Sequence, residues 1–156
     1  MKIHLRYYPQ HTEYSCGPVC LRMIFEHLGR SYSEEQLMRL CDAEPVLGTS
    51  HAHLVEEVGR EGFAYREDSN GRLADLIDSL DAGYLPIVNY LNPLSNVGHY
   101  SIVNGYDGEE GVLIFADPSN GRDFSMRYED FMMAWHNQDH TSIGWSLIIG
   151  RQDILL

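Results

Sequence analysis

Two kinds of apolar spacing divide the chain near Gly83. Ahead of it, Val19, Leu21, Met23, Ile24, Phe25 and Leu28 follow Cys16 at helical intervals, predicting a helix that tolerates Pro18 in its first turn and closes at Gly29. Ser33 with Gln36 three residues on is a capping-box signature, and Leu37, Leu40 and Cys41 supply the apolar face of a short second helix. A third helix is expected after Thr49 or Ser50. Leu73, Leu76, Ile77 and Leu80 predict a fourth, between the Asn70-Gly71 turn and Gly83. At the start, residues 3–8 alternate loosely and read as an opening strand that ends at Pro9, with loop from Gln10 to Ser15.

Beyond Gly83 the apolar residues come in short runs, 84–91, 99–106, 112–116 and 143–149, separated by Gly, Asn and Asp turns. Runs of this kind predict an antiparallel sheet. Between the last two, Tyr128 to Trp135 returns to helical spacing, so one helix is expected to cross back over the sheet. Helices first and strands second indicate an α+β fold. No repeat, heptad or biased tract marks a linker, and 156 residues lie within the usual size of one domain, so a single domain over 1–156 is expected.

Charge narrows the choice of partners. Lys and Arg number 11 against 23 Asp and Glu, a formal net charge of −12, which repels phosphate backbones and anionic lipid, so no nucleic-acid partner is expected. The opening MKIHLRYYPQ has no long apolar stretch, and no segment approaches the ~20 apolar residues of a membrane helix. A cytoplasmic protein without a membrane span is expected. Cys16, Cys20 and Cys41 are an odd set with no small-domain disulfide pattern, which fits reduced thiols. Cys20, one turn into the helix from Cys16, is expected to pack as a small apolar side chain.

The candidate chemistry centres on Cys16. A thiol must become a thiolate to attack a carbonyl, and a helix N-terminus offers partial positive charge and free N–H groups that favour it. Gly17 adds no side chain that would obstruct a substrate. In Gly98-His99-Tyr100, an imidazole opens a strand directly after a turn-like loop, a fixed and accessible place for a general base. Asp117 ends the next strand, where an antiparallel neighbour brings it near the start of the His99 strand, as suits an imidazole-orienting carboxylate. Asp117-Pro118-Ser119-Asn120-Gly121 reads equally well as a simple turn. Gln10, on the incoming loop, is placed to point its amide at the same carbonyl as the Cys16 N–H, forming an oxyanion hole. His51 with His53, and His136 with His140, lack an accompanying cysteine or carboxylate set, so no metal site is assigned and no cofactor is expected.

Taken in order, Gln10, Cys16-Gly17-Pro18, Gly98-His99-Tyr100 and Ala116-Asp117-Pro118 resemble the papain-like cysteine peptidases that remove double-glycine leaders from bacteriocin precursors, and their stand-alone relatives. The resemblance implies a papain-like fold of N-terminal helices on a C-terminal antiparallel sheet. It also implies catalytic Cys16, His99, Asp117 and Gln10, with Gly17, Gly98 and Tyr100 lining the substrate cleft. The expected activity is cleavage of a peptide or amide bond through an acyl-enzyme. A catalytically silent peptide-binding module, or an acyl or amide transferase using the same triad, remains open at this point. Oligomeric state is not legible in the sequence.

Overall fold

The computed structural model describes residues 1–151; of the 1–156 span expected for the domain, residues 152–156 lie outside the described residues. Its elements run α1 (Cys16–His27), α2 (Glu34–Leu40), α3 (His51–Glu61), β1 (Ala64–Asp68), α4 (Leu73–Asp81), β2 (Leu85–Leu91), β3 (Gly98–Asp107), β4 (Val112–Asp117), β5 (Gly121–Arg127), α5 (Tyr128–Ala134) and β6 (Ser146–Gly150). One six-stranded sheet has the order β1-β6-β2-β3-β4-β5, and every neighbouring pair in it is antiparallel.

The sheet is the middle layer, because its central strands bury both faces. Along β2, Leu85 and Ile87 join a core with Val19, Ile24 and Phe25 of α1 and with Leu54 and Val58 of α3. Val88 and Tyr90 turn to the opposite face, where they meet Leu76 and Leu80 of α4 and Phe131 of α5. α1 is apolar nearly all round and correspondingly buried along most of its length. The expected capping box closes the start of α2: Gln36 N–H donates to Ser33 Oγ at 3.1 Å, and Ser33 N–H donates to Gln36 Oε1 at 2.8 Å. Ser50 caps α3 through His53 N–H.

Three sequence expectations are corrected. Residues 3–8 form no strand. Pairing between β2 and β3 stops at Ile87–Ile102, and only the short free edge of β3 beyond it is available to the N-terminal segment. There Lys2 bridges Gly105, and Ile3 N–H donates to Asn104 O at 2.7 Å. Ile3, Leu5, Tyr7 and Tyr8 pack beside the α1 core instead, so their spacing reflects side-chain packing. The run expected at 143–149 starts as a strand only at Ser146, since Ile143 O and Gly144 O accept from the turn at Asn70 and Gly71. Finally, β1 and β5 were not expected as strands. Both are outermost in the sheet, and sequences such as Tyr65-Arg66-Glu67 and Arg122-Asp123 carry the polar residues that edge strands use.

Candidate active site

Cys16 is the first residue of α1, and its side chain is half-buried. Ser15, the residue before it, does not cap the helix with its side chain. Its hydroxyl donates to Glu34 Oε2 at 2.6 Å, so the first-turn N–H groups of α1 face the thiol end without a side-chain acceptor from the N-cap. The Tyr100 N–H lies 3.5 Å from Cys16 Sγ, which seats the thiol against the start of β3.

His99 is the second residue of β3 and Asp117 the last of β4. The register pairs Ile102 with Ala116 and so sets the two residues at the same end of the sheet. His99 Nε2 is 2.7 Å from Asp117 Oδ1. An ionised carboxylate only accepts, so Nε2 carries the hydrogen and Nδ1 is left for other work. Burial pulls the imidazole down, but hydrogen bonding to Asp117 and Cys16, with the attraction of both groups, raises it to about 10. Burial pushes the Asp117 carboxyl up, yet His99, the Asn120 N–H and the Tyr90 hydroxyl outweigh it and hold the group below its ordinary value. Asp117-Pro118-Ser119-Asn120-Gly121 forms a turn, and the carboxylate of its first residue is the one that meets His99. Oδ1 also accepts from Ser119 N–H at 3.0 Å and Asn120 N–H at 2.8 Å, forming the turn that presents the carboxylate.

The loop before α1 is fastened at two points. Gln10 N–H donates to Pro118 O at 2.9 Å, which ties Gln10 to the residue following Asp117. Its side-chain Nε2 donates to Thr12 O at 2.8 Å, and Oε1 is buried without a partner among the described residues. One Nε2 hydrogen therefore remains beyond the Thr12 bond. At the other end of the loop, Glu34 is 3% exposed and accepts from the Ser15 hydroxyl and from His11 N–H at 2.9 Å through Oε2, while Oε1 meets His11 Nδ1 at 2.6 Å.

The residues expected to line a substrate cleft have these surroundings. Gly17 is buried, and a Cβ there would lie 3.2 Å from Leu54 and Tyr100 side-chain carbons. Its bareness thus serves the close packing of α1 on α3 and β3. A Cβ on Gly98 would meet Gln138 N at 3.3 Å, so this residue lets the 136–143 loop approach β3. The Tyr100 ring is turned inward, its hydroxyl donating to Thr49 O at 2.8 Å and meeting His51 Nδ1 at 2.6 Å. Only its N–H reaches the thiol. His51 also meets Ser142 and stacks on Trp145, and His136 stacks on His140 in the loop after α5. Cys20 and Cys41 are fully buried.

Sequence reasoning passed over Tyr90 and Glu34. Tyr90 is fully buried and donates its hydroxyl to Asp117 Oδ2 at 2.7 Å. Within an apolar strand it reads as core, and only a partner 27 residues away gives it a polar role. Glu34 reads as an ordinary acid at a helix start, because no local pattern distinguishes the one that turns inward from its neighbour Glu35.

Helices on an antiparallel sheet, with a cysteine at the first turn of α1 and a bonded histidine and aspartate on adjacent strands, define the papain-like cysteine peptidase fold. The sequence profile of the peptidase C39 family matches residues 4–138, and the chain belongs to this family. Among solved structures, the peptidase domain of Streptococcus ComA, a bifunctional ABC transporter involved in a quorum-sensing pathway, is 27% identical, with a TM-score of 0.77 over 96% of this chain and 100% of that one. A C39-like peptidase from Bacillus anthracis, 13% identical, has a TM-score of 0.70 over 94% of each chain. A double-glycine motif protease from an AMS/PCAT transporter, solved with its leader peptide, is 15% identical, with a TM-score of 0.69 over 97% of this chain and 94% of that one. The last two show likeness of fold. No curated protein sequence matches the chain.

Proposed function

We propose that the chain is a thiol peptidase in which Cys16 is the nucleophile, His99 its acid and base, Asp117 the orienting carboxylate and Gln10 an oxyanion donor. The observation that carries this reading is the 2.7 Å bond between His99 Nε2 and Asp117 Oδ1, in a site where the influence of Cys16, at the N-terminus of α1, also raises the imidazole. With Nε2 committed to Asp117, Nδ1 exchanges a proton with Sγ. The Cys16 thiolate attacks the scissile carbonyl carbon, forming a C–S bond and a tetrahedral oxyanion. The Cys16 N–H and the spare Gln10 Nε2 hydrogen receive that oxygen. His99 then passes its Nδ1 proton to the leaving nitrogen, the C–N bond breaks, and a thioester remains. Water, deprotonated by His99, attacks the thioester and returns the thiol.

Membership of the peptidase C39 family supports a peptide substrate, and the likeness of fold to a double-glycine motif protease solved with its leader peptide supports cleavage after two glycines. The test is hydrolysis of a peptide panel with and without a Gly-Gly pair, comparing wild type with Cys16→Ala. The expected result is cleavage confined to Gly-Gly peptides and abolished in a variant that keeps its fold. Unaltered cleavage by Cys16→Ala removes the thiol mechanism. Tight peptide binding without cleavage by wild type points instead to a binding module, and transfer of the acyl group to an added amine in place of water points to a transferase.

A further inference from the structure

We propose that Tyr90 is a positioning residue of this site: its buried hydroxyl holds the second carboxylate oxygen of Asp117 so that the first stays aligned on His99. The inference rests on the triad reading above and extends it to a residue outside the triad. Asp117 is fully buried, so each carboxylate oxygen needs donors from the protein. Oδ1 has three, from His99, Ser119 and Asn120. The donor found on Oδ2 is the Tyr90 hydroxyl, at 2.7 Å.

The direction of that hydroxyl proton is fixed by a third residue. Asn120 Nδ2 donates to the Tyr90 oxygen at 3.1 Å, which leaves the phenolic hydrogen to point at Asp117. Asn120 Nδ2 is in turn 3.2 Å from Asn92 Oδ1, an oxygen that also accepts from Leu94 N–H. The ring of Tyr90 meets the His99 ring edge-on, with centroids 5.8 Å apart. One tyrosine therefore braces both partners of the imidazole–carboxylate pair. Without the hydroxyl, Oδ2 is left bare in a dry site, and the carboxylate turns or admits water to recover a donor, giving up its alignment with Nε2.

The titratable groups facing His99 are Cys16 from α1, Tyr90 from β2 and Asp117 from β4. The test follows the His99 imidazole by NMR through its titration in wild type and in Tyr90→Phe, which keeps the ring and its packing. The expected result is a fall in the His99 midpoint of about one pH unit, a tenfold weaker hold on the imidazolium, together with slower alkylation of Cys16 at neutral pH. A tyrosine that merely filled space would be replaced by phenylalanine with the titration and the alkylation rate where they were. A folded Tyr90→Phe with an unmoved midpoint overturns the proposal. Asn120→Ala, in the half-buried turn after β4, provides a second route if Tyr90→Phe does not accumulate as folded protein; a smaller fall is expected, and none overturns the proposal. The parent reading fails separately, if Cys16 alkylation in wild type is no faster than in His99→Ala.

Discussion

The Ser15 hydroxyl donates to Glu34 Oε2 at 2.6 Å, which takes the N-cap side chain away from the helix it precedes. A serine before a helix ordinarily bonds a first-turn N–H. Here a buried carboxylate 19 residues away diverts it, and the same carboxylate receives His11 N–H. The path from Gln10 to Cys16 is thereby stretched between Glu34 at one side and Pro118 at the other.

Glu34→Ala should therefore damage both stability and turnover without touching the triad. It removes an acceptor from the Ser15 hydroxyl and the His11 N–H, leaving the hydroxyl its weaker 3.2 Å bond to Thr12 O, at an expected cost of about 1 to 3 kcal/mol. The freed hydroxyl can then turn onto the α1 N–H groups and compete with an oxyanion. Burial raises the Glu34 carboxyl, but hydrogen bonds from Ser15 and His11 hold it below 4.5. Its stabilisation is thus present above pH 4.5 and lost as pH falls through the lower folded value. Urea unfolding at pH 7 and at pH 4 measures both effects, and an unchanged midpoint at pH 7 contradicts the fastening role.

Gln10→Ala tests the oxyanion donor in isolation. Loss of one such donor lowers turnover by about 10²- to 10³-fold, whereas alkylation of Cys16 develops no oxyanion and should proceed at the wild-type rate. Equal losses in both assays would instead mean that the loop has moved and taken the thiol with it.

How far these groups could be read in advance depends on whether their partners are local. Cys16, His99 and Asp117 sit at places where an element starts or stops, and such boundaries leave signals in the sequence: Pro18 in a first turn, Gly98 before a strand, Asp-Pro-Ser-Asn-Gly after one. The helices were legible for the same reason, since Ser33 and Ser50 announce α2 and α3. Tyr90 and Glu34 differ because what they bond lies far along the chain. The packing around Gly17 was not legible either, since it clears the space that the Tyr100 ring and Leu54 occupy from distant parts of the chain. Alternation in residues 3–8 misled because a segment packing along a helix can be as regular as one in a sheet.

The His99 imidazole sets an alkaline limit on activity. Its pKa is raised to about 10, so the proton passed to the leaving nitrogen is available through neutral pH, and turnover should decline as pH climbs through that value. The sign for stability follows from the same shift. A group raised from 6.5 to about 10 on folding stabilises fully below 6.5, and its contribution disappears as pH rises towards 10. Denaturation curves collected from pH 6 to 10 should show a downward slope in wild type that is shallower in His99→Ala. Parallel curves would mean that the folded imidazole titrates near its ordinary value.

Both outer strands of the sheet carry charge where a further strand would have to lie, with Arg66, Glu67 and Asp68 in β1 and Arg122, Asp123 and Arg127 in β5. Asp123 adds a backbone obstacle. Its φ of 61° falls in the left-handed region, at the register shift opposite Phe115 and Ala116, and Lys2 pairs with its carboxylate. An edge kinked in this way gives a second chain no straight row of amides to copy. The polar composition that hides these strands from a search for apolar periodicity thus guards the folded chain against edge-to-edge aggregation.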